Sequence, residues 1–269
     1  MSVPMAAQLA PELIVKANRK EQICALLEAI QTGDAAAVAV VNESKYIQHN
    51  PQTHEGSEGL AALFERLSKT SPRINIVRVF EDGDYVFAHT EYDFANSNIG
   101  FEVFRFEDGL AVEHWDNIQQ RQGPSPSGHS MVDGPTEAID LHRTEYNRNM
   151  VRSFIDEALI AGNIDKLDDC IDGERFTEHN PRIGDGLPAL RSALSDPAAN
   201  HGIAIRYETL HRLLAEGSFV LSVCEGLLGG VHSSFYDLYR IADDKIVEHW
   251  DTTEAIPPRS EWKNDNGKF

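Results

Sequence analysis

Cysteine is scarce in this chain, cationic charge is outnumbered, and long apolar runs are missing. Its three cysteines in 269 residues, Cys24, Cys170 and Cys224, are scattered singly, giving neither an even disulfide set nor the paired spacing of a zinc site. They read as small core residues, because no base is implied beside them. Basic residues number 24 against 43 acidic ones, a formal net charge of -19, and so negative a surface repels phosphate backbones and anionic membranes. Nucleic acid and membrane are not expected as partners. No stretch approaches the roughly 20 apolar residues of a spanning helix, and the opening MSVPMAAQLAPELIVKANRK reverses the charge order of a signal peptide, so the expectation is a cytoplasmic protein. HxH and HExxH spacings, a glycine-rich phosphate loop and a GxSxG elbow are also missing, so no metal and no cofactor is expected.

What the chain does contain is a repeat. YIQHNP from Tyr46 returns as FTEHNP from Phe176, and FEVFRFEDGLAVEHWD from Phe101 returns as YDLYRIADDKIVEHWD from Tyr236. Between these anchors, VRVFEDGDYVFAHTEY from Val77 lines up with HRLLAEGSFVLSVCEG from His211. The period is about 130 residues, one ordinary domain per copy. The bridge is rich in glycine, proline and serine, which divides the chain into a first domain at 1–122, a linker at 123–138, a second domain at 139–258 and a tail at 259–269.

Each copy reads as helices first and strands afterwards. Ile23, Leu26, Leu27 and Ile30 recur at helical spacing before a stop at Gly33, Asp34 caps a second short helix, and a third runs from Ser57 as its cap through Leu67. The second copy repeats the pattern with Val151, Phe154, Ile155, Ala158 and Leu159, a stop at Gly162, and Asp185 capping a helix from Leu187 to Leu194. Short β-rich runs follow in both. Helices grouped before a strand meander specify an α+β class: two cone-shaped domains, each a curved antiparallel sheet wrapped around about three helices, related by internal duplication. Such a cone has room for one small ligand.

The last hairpin of the first copy shows which polar side chains converge. A three-residue loop, Glu107-Asp108-Gly109, sets Phe106 opposite Leu110 and Glu102 opposite His114. Alternation then places Glu102, His114 and Asp116 on one face with Phe104 and Val112, and Trp115 on the other. Asp237, His249 and Asp251 repeat the set, with Trp250 facing away. A carboxylate among apolar neighbours has a raised pKa and suits acid/base work near neutral pH; equally, the carboxylate-histidine pair can be a cross-strand hydrogen bond that holds the sheet. His49, Asn50, His179 and Asn180, each pair just before a proline, and His89 on a middle strand are candidates for contacting a ligand. For the His-Asn-Pro corners, an Asx turn is the structural alternative.

These motifs, YIQHNP, EDGDYVFAH and FRFEDGLAVEHWD, resemble the SnoaL-like, polyketide cyclase-like branch of the nuclear-transport-factor-2-like superfamily, over nearly all of each half. The resemblance implies a cofactor-independent cyclase, isomerase or lyase acting on a small, largely apolar carbonyl compound, with Asp116 and Asp251 as acid/base groups. Ketosteroid isomerase, of the same fold, abstracts its proton with an aspartate. Glu102 and Asp237 fall where the cyclases carry a histidine, which leaves His114 and His249 to hold the enolate oxygen. A non-catalytic ligand-binding or assembly module is the alternative. Domains of this fold often pair through the open sheet face, so Trp115 and Trp250 are expected where the halves meet as a pseudo-dimer within one chain, with a further homodimer of the whole chain left open.

Overall fold

A computed structural model describes residues 18–70, 72–93 and 96–269. Helix α1 (Arg19–Glu28) starts at a capping box, in which the Asn18 side chain accepts from the Glu21 backbone N–H and the Glu21 carboxylate accepts from that of Asn18. Its apolar stripe of Ile23, Leu26 and Leu27 is buried, and a 3-10 turn carries the chain to Gly33, whose positive φ of 71° ends the run. Asp34 caps a 3-10 helix (Ala35–Val40) by accepting from the Ala36 N–H. Helix α2 (Gly56–Ser68) begins one residue before the expected cap, which puts Ser57 inside its first turn.

In the second unit α3 (Thr144–Phe154) continues through a π-helical turn (Ile155–Ile160), and α4 (Leu167–Cys170) and α5 (Leu187–Ser195) follow. Pro188 sits in the first turn of α5, as its preset φ favours. Asp185 does not cap this helix: its carboxylate accepts from the Glu178 N–H and pairs with His129.

Among the described residues the strands form two five-stranded sheets of the same plan. The first comprises β1 (Ile47–Gln48), β2 (Arg73–Asp82), β3 (Tyr85–Asp93), β4 (Ser97–Glu107) and β5 (Leu110–Gln120), in the order β1-β5-β4-β3-β2. The second comprises β6 (Thr177–Glu178), β7 (Ile205–Glu216), β8 (Phe219–Leu228), β9 (Val231–Ala242) and β10 (Lys245–Ala255), in the order β6-β10-β9-β8-β7. The architecture is therefore α+β, two sheet-and-helix units. Within each unit the helices pack on one face of the sheet.

The other two sheet faces meet each other. Phe80, Phe87, Phe101 and Trp115 of the first sheet share one buried cluster with Phe219, Leu221, Tyr236 and Trp250 of the second. Arg78 lies over the Trp250 ring at 4.2 Å, and Arg212 lies over the Trp115 ring at 3.9 Å, so each unit places the matching arginine on the other's tryptophan. The bridge is packed as well. Arg78 donates to the backbone oxygens of Val132, Asp133 and Pro135, and burial pulls its guanidinium down to about 10. No described helix is long and apolar enough to cross a membrane.

Candidate functional site

The β4-β5 hairpin aligns the first site, though not in the expected register. Its loop has two residues, Asp108 and Gly109, both at positive φ, so Glu107 opposes Leu110. That pairing alone would turn Glu102 and His114 to opposite faces. A bulge at Val112 restores the alternation, bringing Phe104 opposite His114 and Glu102 opposite Asp116. The difference from the expected register is two residues, which preserves the face. Glu102, His114 and Asp116 do converge. The second hairpin turns at Asp243 and Asp244, also both at positive φ, bulges at Val247, and sets Asp237 opposite Asp251.

Around this face the other elements supply partners. Strand β1 runs parallel to β5 and puts Gln48 beside His114, whose Nδ1 lies 3.0 Å from Gln48 Oε1 and whose Nε2 lies 2.7 Å from Glu102 Oε2. The Tyr92 hydroxyl donates to Glu102 Oε1 at 2.5 Å. Burial pushes the Glu102 carboxyl up, with the His114 contact opposing. Asn50 does two things: its Oδ1 closes an Asx turn by accepting from Gln52 N–H, and its Nδ2 donates to Asp116 Oδ2 at 2.6 Å. Asp116 Oδ1 is buried with no hydrogen bond. Beside these groups lies a cavity of about 300 Å3, walled by Leu27, Leu63, Phe64 and Phe104, with Asn50, Tyr92, Glu102, His114, Asp116 and Glu254 supplying its polar side.

The second unit repeats the plan with altered charge. Glu178 stands where the first unit has Gln48, so His249 lies between two carboxylates: Nδ1 is 2.9 Å from Glu178 Oε1 and Nε2 is 3.1 Å from Asp237 Oδ1. Burial pulls this imidazole down, but Glu178 and Asp237 outweigh it and hold it well above the ordinary histidine range. Asn180 donates to Asp251 Oδ2 at 2.8 Å, and burial, with Glu178 and Asp237 adding to it, raises Asp251 to about 6. The cavity here is about 30 Å3, space on the scale of a single water.

Several expected contacts fall elsewhere. His49 and His179 point to the opposite side of the sheet, stacking on Trp115 at 4.6 Å and on Trp250 at 4.7 Å, because the residue after the inward Gln48 or Glu178 must face outward. His89 also faces the inter-unit side, stacked on Phe101 at 4.4 Å and bonded to Arg78. His114 is not free to hold an enolate oxygen, since both of its ring nitrogens already face Gln48 and Glu102. Residues the sequence reading missed are Tyr92, Gln48, Glu178, Tyr207, Glu254 and Lys268. Tyr207 donates to Asp237 from β7, whereas Tyr92 reaches Glu102 from β3, so aligning the repeats hides this match.

Glu102, His114 and Asp116 each offer an atom within 4.8 Å of the others, the spacing of a metal cage. Tyr92 and Asn50 already donate to these carboxylates, and the Lys268 ammonium lies 3.6 Å from Asp116 Oδ1, which suits proton chemistry better than a further cation. Burial pushes the thiols of Cys24, Cys170 and Cys224 up, away from nucleophilic use.

Each unit is thus a cone of sheet and helices with an acid/imidazole cluster on its inward face, and the comparisons with known proteins bear on the first unit. Residues 23–114, most of the first unit, match the SnoaL-like domain. Among solved structures the chain is similar to TsrD from Streptomyces laurentii, at 22% identity and a TM-score of 0.34, over 38% of this chain and 91% of that one. An NTF2-like protein from Cytophaga hutchinsonii matches at 16% identity and a TM-score of 0.35, over 40% and 95% of the two chains. An LEH-like epoxide hydrolase from M. tuberculosis matches at 20% identity and a TM-score of 0.33, over 37% and 81%. No curated protein matches the chain.

Proposed function

We propose that the first unit binds a small, largely apolar carbonyl compound and moves a proton on it without a cofactor. The observation that carries this reading is a cavity of about 300 Å3 with apolar walls and a buried aspartate, one of whose oxygens has no hydrogen bond. Asp116 Oδ1 takes a proton from the carbon alpha to the carbonyl, the bonding pair moves into the C–C–O system as an enolate, and return of the proton to another carbon isomerises the compound. Attack of the enolate carbon on a second carbonyl gives aldol cyclisation instead. Asn50, with a second N–H left after bonding Asp116, is the donor nearest this role; His114 and Tyr92 fix Glu102.

In the same reading the second unit serves assembly, the space beside its Asp251 being too small for such a compound. The two units then form a pseudo-dimer within one chain, with boundaries at 1–122 and 139–258, a reading supported by the shared aromatic cluster and the reciprocal arginine-tryptophan contacts. A further homodimer would need another surface, because these sheet faces already cover each other. The acidic charge and lone cysteines favour the cytoplasm.

The test incubates the full chain in D2O with a panel of small cyclic enones and 1,3-diketones and follows alpha-proton exchange by NMR. Exchange above the buffer rate that disappears in Asp116→Asn is the expected result. Saturable binding of panel members with no exchange would leave the binding-module reading in its place.

A further inference from the structure

The segment after each unit's last strand crosses to the other unit. The bridge after β5 brings the Ser130 carbonyl to 2.7 Å from His179 Nδ1, and the tail after β10 brings the Gly267 carbonyl to 3.0 Å from His49 Nδ1. Ser130 and Gly267 are therefore matching positions, and so are the residues that follow them. Those are Met131, 2% exposed, and Lys268, 3% exposed. One crossing segment buries a thioether, the other an ammonium.

The ammonium is placed against the first unit's acidic groups. Lys268 Nζ donates to the Asp116 backbone carbonyl at 2.9 Å and to Glu254 Oε2 at 2.7 Å, and lies 3.6 Å from Asp116 Oδ1. Burial works against the charged lysine, but Glu254 and Asp116 outweigh it and its pKa is raised, so the ammonium is retained. The tail is pinned on either side of the pocket's His-Asn-Pro corner: Asn264 donates to the Asn50 and Thr53 carbonyls at 2.7 and 3.0 Å, and Asn266 to the Gln48 carbonyl at 3.0 Å. Phe269 stacks on His211 at 4.0 Å. Glu254, which Lys268 grips, lines the first unit's cavity although it belongs to β10 of the second.

We infer that Lys268 is a positioning residue of the first unit's pocket: supplied by the tail beyond the second unit, its ammonium fixes Asp116 and Glu254, and the pocket is incomplete without it. This rests on reading that cavity as the working site. At 3.6 Å the cation sits beside Asp116 Oδ1 without a hydrogen bond, which leaves that oxygen's lone pairs open to a substrate proton. Glu102, His114, Tyr46, Tyr92 and Tyr236 are the other titratable groups near Asp116.

The test uses the full chain in three forms: wild type, Lys268→Met, which copies the second unit's Met131, and Lys268→Arg, which keeps the charge. Side-chain carboxyl carbons are followed by NMR through a pH titration, and amide exchange at Asn264 and Asn266 reports whether the tail stays docked. Replacing the ammonium with a thioether is expected to raise the titration midpoint of Glu254 by about one pH unit or more, while the arginine variant keeps it near wild type. An unmoved midpoint in Lys268→Met with a docked tail would reduce Lys268 to a structural peg and overturn the inference. If the methionine undocks the tail, the arginine variant decides: docked with a wild-type midpoint supports it, docked with a midpoint that rises by a unit refutes it. Because no turnover is read, a negative result here leaves the proton-transfer proposal standing, and absence of exchange in D2O leaves this one standing.

Discussion

The two units share a strand order, a bulged last hairpin and an aspartate-histidine-carboxylate face, yet the space beside Asp116 is about 300 Å3 and that beside Asp251 about 30 Å3. Their charge differs too. In the second unit, Glu178, Asp237 and Asp251 surround His249, whereas in the first unit Gln48 replaces one of these carboxylates and Glu254 and Lys268 arrive from the other half. A duplicated scaffold can thus keep the same inward face and still differ in the space and the charge beside it.

The sharpest way to break this comparison is to remove each aspartate in turn. Asp116→Asn is expected to lower alpha-proton exchange of a responsive probe ketone by 100-fold or more, on the order of a lost general base, while Asp251→Asn leaves it within about twofold. Equal loss in both variants would make the units equivalent. The shared face predicts the opposite symmetry: Trp115→Ala and Trp250→Ala should each cost roughly 3–5 kcal/mol in urea unfolding, since both rings are buried in one inter-unit cluster. A large cost for one alone would show that the units are not packed reciprocally.

Stability against pH sharpens the contrast further. Asp251 is raised from 3.8 unfolded to about 6 folded, so its neutral form favours the fold, and that contribution fades as pH rises from 3.8 through 6. Asp251→Asn is therefore expected to be neutral in effect near pH 4 and stabilising by about 1–3 kcal/mol above pH 7, by thermal unfolding at both pH values. Destabilisation at pH 8 would mean that the charged carboxylate is needed there. The smallest effect is at the second hairpin, where Asp244 has φ 62° in place of the first unit's Gly109. Asp244→Gly relieves that conformation but removes the Arg143 ion pair, and the expected change is a gain of at most about 1 kcal/mol.

The order of elements, the inward face and the outward tryptophans were legible because they depend on local periodicity, and the bulge happened to restore the alternation that a three-residue loop had implied. The outward turn of His49 and His179 was not, since it depends on a two-residue strand pairing in parallel with the last one. Glu254 and Lys268 had no local signal at all. A lone lysine in an aperiodic tail reads as surface, and only the crossing of chain segments buries it.

Asp116 and the lysine that bonds its carbonyl are separated by 152 positions. On a ribosome adding about 5–20 residues per second, the aspartate is incorporated roughly 8 to 30 seconds before its partner. The first sheet can form during that interval from neighbouring strands, whereas the Lys268 contact to Asp116 waits for the tail. Synthesis itself sets the sequence of events, and a nascent chain arrested after the first unit would carry the aspartate without its counter-ion.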